Sequence, residues 1–404
     1  VHIGISTSVI QRGQSGIAQY LFALARALIE QGRHEYTFFV LEEDRALFNF
    51  VAGRARLTTV SEHFRPALKD VAWHQSVLPG LARRLRLDVL HVPSYRRMLW
   101  PRPCPLVATI HDLAQFHVRA KYNWPRMLYG RIIVPRLARR QDQIVAISQT
   151  TAGDVSRFFR VPRERLTVIY NGVDHSRFFP GDIAPAKALS AHRFGLELPF
   201  FLYVARLEHP GKNHTRLIAA FHRFKAATGS KWQLALAGAD WHGARHIHKT
   251  IQESPFSKDI RCLGFVPDAF VPDLYRAADV FVYPSLFEGF GMPPIEAMAC
   301  GCPVISSARG SLGEVLGSAA ALVDPEDIDA LAAQLCVLAA EAVVRHQMRA
   351  AGLAQAGRFN WAETAMAMVR VFERAAEAAK SAKVAKIANP AATTAPLGSR
   401  GPGD

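Results

Sequence analysis

Two glutamates, Glu288 and Glu296, stand eight positions apart in the stretch "YPSLFEGFGMPPIEAMACGCPVIS". Between them lie Gly289, Phe290, Gly291, Met292 and two prolines. Carboxylates accept hydrogen bonds from hydroxyls, so one at each end of a short loop suits a ligand with several of them, such as a sugar and a ribose. Glycines let backbone take unusual dihedrals and approach a ligand closely. Proline fits the first turn of a helix, and a helix start offers free N–H groups and a dipole to a phosphate. The preceding "DVFVYPS" reads as a strand. Glu288 then lies past the carboxyl end of that strand, and Glu296 in or near the first turn of the next helix, in the crevice where open α/β sheets bind ligands. Singly, Glu296 would only complement a helix dipole and the glycines would only make a turn. Together they point to a binding site.

Other candidates also follow strands. Arg206 and Lys212 lie in "YVARLEHPGKNHTRLIAAF", in the loop after a strand, where one Arg and one Lys alone would read as surface facing water. Gly16, in "GQSGIAQY", opens a helix whose first amides would face an anion. This loop lacks the G-x-G-x-x-G pattern, so NAD is disfavoured. His111 and Asp112 stand just beyond a strand end in "ATIHDLAQF". In the loops "GADW" and "GFVPD", Gly264 and Pro267 mark a plain turn equally well; for a ligand that carries a nucleotide base, the base would pack beside Phe265 or Val266 and bond to backbone near Gly264. The cysteines, at 104, 262, 300, 302 and 336, show no metal-ligand spacing. No metal and no cofactor is therefore expected, and Cys300 and Cys302 read as small buried residues.

These residues need a scaffold, and the apolar pattern supplies one. At 404 residues the chain is too long for one ordinary core. Strands are read at 2–6, 36–41, 88–92, 106–110, 143–147 and 166–170, with helices between several of them. Ile17, Tyr20, Leu21, Leu24 and Leu28 give one helix its apolar face, and Gly32 ends it. The segment 171–199, rich in Gly, Pro and polar residues, reads as a boundary. The alternation then restarts, with strands at 200–204, 232–237, 260–263, 280–283, 303–306 and 319–323. The fold class is α/β, with two Rossmann-like doubly wound domains facing a cleft and helices at the C-terminal end. The expected units are 1–175, 176–360, a helix at 361–380 packing back toward the first unit, and a disordered tail at 381–404.

Charge is uneven. Residues 1–180 carry 26 Lys and Arg against 13 Asp and Glu, a net of +13, whereas 181–404 carry a net of +2. Such a basic half suits an anionic partner, or is an arginine-rich surface facing water. A nucleic-acid partner is disfavoured, since no RRM, KH, zinc-finger or basic–aromatic pattern is present. No apolar run approaches the ~20 residues that span a bilayer. The chain opens on "VHIGIS" with no signal-peptide pattern, so a cytoplasmic setting is expected.

The stretch "EGFGMPPIE" followed by "AMACGCPVISS" resembles the E-x7-E motif of retaining glycosyltransferases of the GT-B fold, in particular glycosyltransferase family 4. The resemblance covers roughly 1–375. It implies a nucleotide-sugar donor held mainly by the C-terminal domain, with Glu288, Gly289, Phe290, Gly291, Met292 and Glu296 around it. Arg206 and Lys212 match the pair that neutralises the donor pyrophosphate, Gly16 the glycine loop that approaches it, and His111 the histidine that contacts the donor sugar. His111, Arg206, Lys212 and Glu288 are thus the implied catalytic residues. "NGVD" (171–174) matches an interdomain segment. "TIHDL", "ARRQDQIVAIS" and "SLGEVLGSAAALVDP" look most like bacterial mannosyltransferases of surface polysaccharides. That makes GDP-mannose the leading donor and a glycan or polyprenyl-diphosphate-linked glycan the acceptor, reached by an enzyme peripheral to the inner face of the plasma membrane. A UDP-sugar glucosyltransferase and a nucleotide-sugar epimerase of the same fold remain alternatives.

Overall fold

The computed structural model describes residues 1–13, 15–118 and 124–388. The first sheet has seven strands: β1 (His2–Ser6), β2 (Glu35–Leu41), β3 (Arg56–Val60), β4 (Val89–Val92), β5 (Leu106–Ile110), β6 (Gln143–Ala146) and β7 (Leu166–Val168). Their order across the sheet is β3-β2-β1-β4-β5-β6-β7, every pairing parallel. The second sheet has β8 (Phe200–Val204), β9 (Gln233–Ala237), β10 (Ile260–Gly264), β11 (Val280–Tyr283), β12 (Val304–Ser307) and β13 (Ala321–Val323). It runs β10-β9-β8-β11-β12-β13, again all parallel. Parallel strands are covered on both faces, which is why these segments are almost unbroken apolar runs.

Chain order reverses between β1 and β4 in one sheet and between β8 and β11 in the other. At each reversal the loops leaving neighbouring strands diverge and open a crevice. The Gly16–Gln31 helix follows β1. Ser15 caps it by accepting from the Ala18 amide at 3.1 Å, and Gly32, at φ 61°, ends it in the left-handed region. Its expected apolar face is buried at Tyr20, Leu21, Leu24 and Leu28.

The segment read as a boundary is not all connection. It holds a helix, Ile183–Phe194, capped by Asp182 and stopped by Gly195. The strand β3 lies outside every segment read as a strand. The final helix, Trp361–Ala388, runs past the expected end at 380 and takes in the first residues assigned to the tail. The rest of that tail, 389–404, lies outside the described residues. Ala365, Met368, Val369 and Phe372 of this helix share a core with Tyr20, Leu24 and Val107 of the first half. No described helix is long and apolar enough to cross a membrane.

The chain passes between the halves twice, side by side. Val173 pairs with Asn360, its amide donating to the Phe359 carbonyl at 3.2 Å. Gly172 is needed there, since a Cβ would sit 2.3 Å from the Trp361 amide nitrogen.

Candidate functional site

The site begins where β8 and β11 lie side by side. The loop after β8 carries Lys212, and the loop after β11 carries Glu288. Lys212 Nζ donates to Glu288 Oε1 at 2.6 Å. The same oxygen accepts from Ser285 Oγ at 2.5 Å and Tyr283 Oη at 3.1 Å. Local structure fixes this cluster. Tyr203 Oη, at the end of β8, donates to the Lys212 carbonyl at 2.6 Å. Asn213 sits in the left-handed region at φ 60°, and its side-chain amide donates to the Pro284 and Pro325 carbonyls at 3.0 and 2.7 Å. Burial works to lower the pKa of Lys212, but Glu288 outweighs it and the net shift is upward. The ammonium stays charged across the physiological range.

Glu296 lies in the Met292–Ala299 helix, which starts with Pro293 and Pro294 in its first turn as expected. Glu296 is the fifth residue of this helix, just past its first turn. Burial pushes its carboxyl up to about 7, while Arg177 and a hydrogen bond from Tyr275 Oη at 3.3 Å pull the other way. This group therefore titrates near neutrality.

The two glycines serve different ends. Gly291 does occupy the left-handed region, at φ 92°, just before the helix. Gly289 has no unusual φ. It is required because its backbone meets the other half: a Cβ there would lie 1.8 Å from the His111 carbonyl oxygen. His111 follows β5, so this contact joins the glutamate loop to the first domain. Thr151 Oγ1 stands 3.5 Å from both the His111 and Gly289 carbonyl oxygens.

His111 is held with one ring nitrogen engaged and one open. Its pKa falls to about 4, through burial, against the opposing pull of Asp112 and of a hydrogen bond to Pro93. Proline offers only its carbonyl, so the ring donates there. Nε2 is buried with no hydrogen-bond partner among the described residues. The neutral ring thus presents an acceptor. Tyr20 packs edge-on against it at 4.7 Å.

The remaining candidates divide. Gly16 is the first residue of its helix, and a Cβ there would meet nothing within 4 Å, so its backbone faces open space. Gly264 closes β10 at φ 66°, and Phe265 beyond it is 69% exposed. Val266 is not available to a base: it is 7% exposed and belongs to the second core. Phe290 is likewise turned inward, packing on Tyr170 and Phe359. Met292 is partly exposed at the helix start. Arg206 pairs with Glu208 at 3.4 Å, and its guanidinium lies 4.5 Å from the centre of the Trp241 ring. Cys300 and Cys302 are buried. Among the described residues no group of three or more His, Cys, Asp and Glu side chains is arranged to hold a metal ion.

Sequence reasoning missed the residues that clasp the halves. Glu314, in the helix Leu312–Leu316 of the second domain, accepts from the Gln149 and Thr150 amides at 2.6 and 2.9 Å. It also accepts from Thr150 Oγ1 at 2.9 Å and Tyr170 Oη at 2.8 Å. It thereby caps the Gln149–Asp154 helix of the first domain from outside. Phe287 stacks on His117, with ring centres 4.2 Å apart, and His117 is paired with Asp154 at 2.7 Å. Glu314 stands within "SLGEVLGSAAALVDP", which carried a resemblance but no stated chemistry. Nothing local marks a carboxylate whose partners lie some 165 residues away.

Known proteins resemble this chain in sequence and in fold. A family profile described as glycosyl transferases group 1 matches residues 187–354, and one described as Glycosyltransferase Family 4 matches residues 14–177. The O-antigen chain mannosyltransferase B of Escherichia coli is 32% identical over 257 residues, covering 63% of this chain and 66% of that protein. The serotype-specific mannosyltransferase WbdA of Escherichia coli is 27% identical over 391 residues, covering 89% of this chain and 46% of that protein. The chain thus matches less than two thirds of the length of either relative. HepE from Anabaena, solved with UDP and glucose, shares the fold with a TM-score of 0.74 at 19% identity, covering 92% of this chain and 99% of that one. With the two profiles tiling both halves and the E-x7-E loop set at the crevice between them, the chain belongs to glycosyltransferase family 4.

Proposed function

We propose that this protein is a retaining hexosyltransferase that takes mannose from GDP-mannose and passes it to a glycan or a lipid-linked glycan of a bacterial surface polysaccharide. The observation that carries this reading is the meeting of two unlike groups across the interdomain contact. Lys212, charged and paired to Glu288, stands in one half; His111, whose Nε2 has no hydrogen-bond partner among the described residues, stands in the other, with its backbone carbonyl against Gly289. A cationic place for a diphosphate and a neutral acceptor for a sugar hydroxyl are what a nucleotide sugar requires. The two mannosyltransferase relatives favour mannose.

In this reading Lys212 leaves Glu288 for the donor diphosphate, with Arg206 as the second cation, and the amide of Gly16 approaches from the first domain. Glu296 accepts from ribose hydroxyls in its ionised form. The sugar C1–O bond breaks, its electron pair passing to the leaving phosphate oxygen. The acceptor hydroxyl oxygen bonds to C1 on the same face, and its proton goes to the leaving diphosphate. His111 holds the sugar, and closure excludes water.

A thermal-shift panel of GDP, UDP, ADP, GDP-mannose and UDP-glucose tests this, since a ligand that binds only the folded state raises the melting temperature. Selective stabilisation by GDP and GDP-mannose is expected. A UDP-selective response would keep the site and overturn mannose. Conversion of donor to a sugar isomer without acceptor would identify an epimerase, and no response to any nucleotide would refute the reading.

A further inference from the structure

One surface of the first domain is not explained by the donor site. Residues 124–138 form a continuous helical run, Trp124–Leu128, a π-helical turn Tyr129–Ile133, then Val134–Ala138. Its inner face is core: Val134, Leu137 and Ala138 pack with Met98 and Phe159. Its outer face carries Trp124, Leu128, Ile132 and Ile133, which are 76, 50, 43 and 43% exposed. Trp124, Leu128 and Ile132 recur every fourth residue, so they line one side of the run. Exposed large apolar residues elsewhere are mostly isolated, which is ordinary for a water-facing surface.

Cations border this stripe. Arg131, Arg136 and Arg140 are exposed, and no ion pair among the described residues engages them. The Arg140 guanidinium lies 3.4 Å from the centre of the Trp100 ring, itself half exposed beside the run. An apolar line of Trp, Leu and Ile edged by unpaired arginines matches a surface that is apolar inside and anionic outside. We infer that this face docks on an anionic lipid bilayer, with Trp124, Leu128 and Ile132 entering the headgroup boundary and Arg131, Arg136 and Arg140 meeting the phosphates. The net +13 of residues 1–180 supplies the attraction at longer range. Arg131 also lies over the ring of Phe116, 5.7 Å from its centre, in the segment that follows His111. The inference deepens the proposed reading, because it delivers a lipid-linked acceptor to the cleft, but its test does not depend on transferase activity.

The test is sedimentation of the full chain with vesicles of phosphatidylcholine alone or mixed with phosphatidylglycerol. Tight binding only to the anionic vesicles is expected, weakening as salt rises to roughly 0.5 M. Neutralising Arg131→Gln, Arg136→Gln and Arg140→Gln together is expected to weaken binding about a hundredfold. Trp124→Ser, Leu128→Ser and Ile132→Ser together are expected to weaken it at least ~10-fold. Circular dichroism checks that each triple variant folds, and the single changes are read if one does not. Equal binding to neutral and anionic vesicles would overturn the inference, as would full binding by the apolar triple variant. A wild-type dimer that the apolar triple variant dissolves, without vesicle binding, would also overturn it in favour of a second copy. Vesicle binding by a chain that ignores all nucleotides would instead sink the proposed function and leave this docking face standing.

Discussion

The second sheet turns its critical cation inward, to a carboxylate at the crevice, while one outer run of the first domain carries arginines facing out. Both sheets are parallel, and both reverse their strand order once. Yet Lys212 is largely buried and paired at 2.6 Å, whereas Arg131, Arg136 and Arg140 stand exposed beside apolar side chains. The difference teaches what charge does in each place. In the crevice it is held in a fixed position, where a low dielectric makes it strong and specific. On the outer helix it is exposed and screened, and it acts by attraction over a surface.

The contrast is broken most strongly at Lys212. Lys212→Ala is expected to lower kcat/KM by roughly 10^3 in a steady-state transfer assay, with vesicle binding untouched. A loss of vesicle binding by this variant would erase the distinction between the halves. Next comes Gly289→Ala. Its new methyl would strike the His111 carbonyl oxygen, backbone against backbone, so the halves could not meet as they do. Turnover is expected to fall about 100-fold, with nucleotide still stabilising the protein in a thermal shift. Glu314→Gln is milder. It keeps one acceptor but loses the charge that caps the Gln149–Asp154 helix, so kcat should fall about tenfold, with a larger radius of gyration in X-ray scattering.

Glu296→Gln sharpens the comparison most finely. The folded pKa of Glu296, about 7, lies above its unfolded value of 4.5. The folded state therefore holds the proton more tightly, and stability falls as pH rises from 4.5 through 7, then levels. A glutamine cannot ionise. The variant is expected to melt about 2 °C higher than wild type at pH 8 and equally at pH 4, while binding GDP-mannose more weakly. A variant that melts lower at pH 8 would show that the carboxylate is held comfortably.

The architecture was legible because parallel strands buried on both faces announce themselves as apolar runs. The exceptions have physical causes. Strand β3, "RLTTV", lies at the sheet edge and buries only Val60, so it has neither an apolar run nor a clean alternation. The Ile183–Phe194 helix buries only Ala186 and Ser190, and its signal lay in its caps, Asp182 and Gly195, rather than in its face. In the site, Lys212 and Glu288 were readable by their place after strands. What Gly289 does was not, because the reason for it is His111, on the other domain. The inward turn of the Val266 and Phe290 side chains was not readable either: a loop position says where backbone goes, not which side chain turns into the core.

The doubled crossover at Gly172 and Asn360 has a consequence for cutting this protein apart. The helix Trp361–Ala388 completes the core of the first half, with Phe372 against His91 at 5.4 Å and Trp361 against Tyr20 at 5.7 Å. A gene split after residue 175 would therefore yield two damaged pieces, one missing its cover and the other trailing an orphaned apolar helix. Circular permutation divides the molecule along its real seam. With 361–388 spliced ahead of the first strand, each half would become one unbroken stretch of sequence, available to be swapped with the corresponding half of another enzyme.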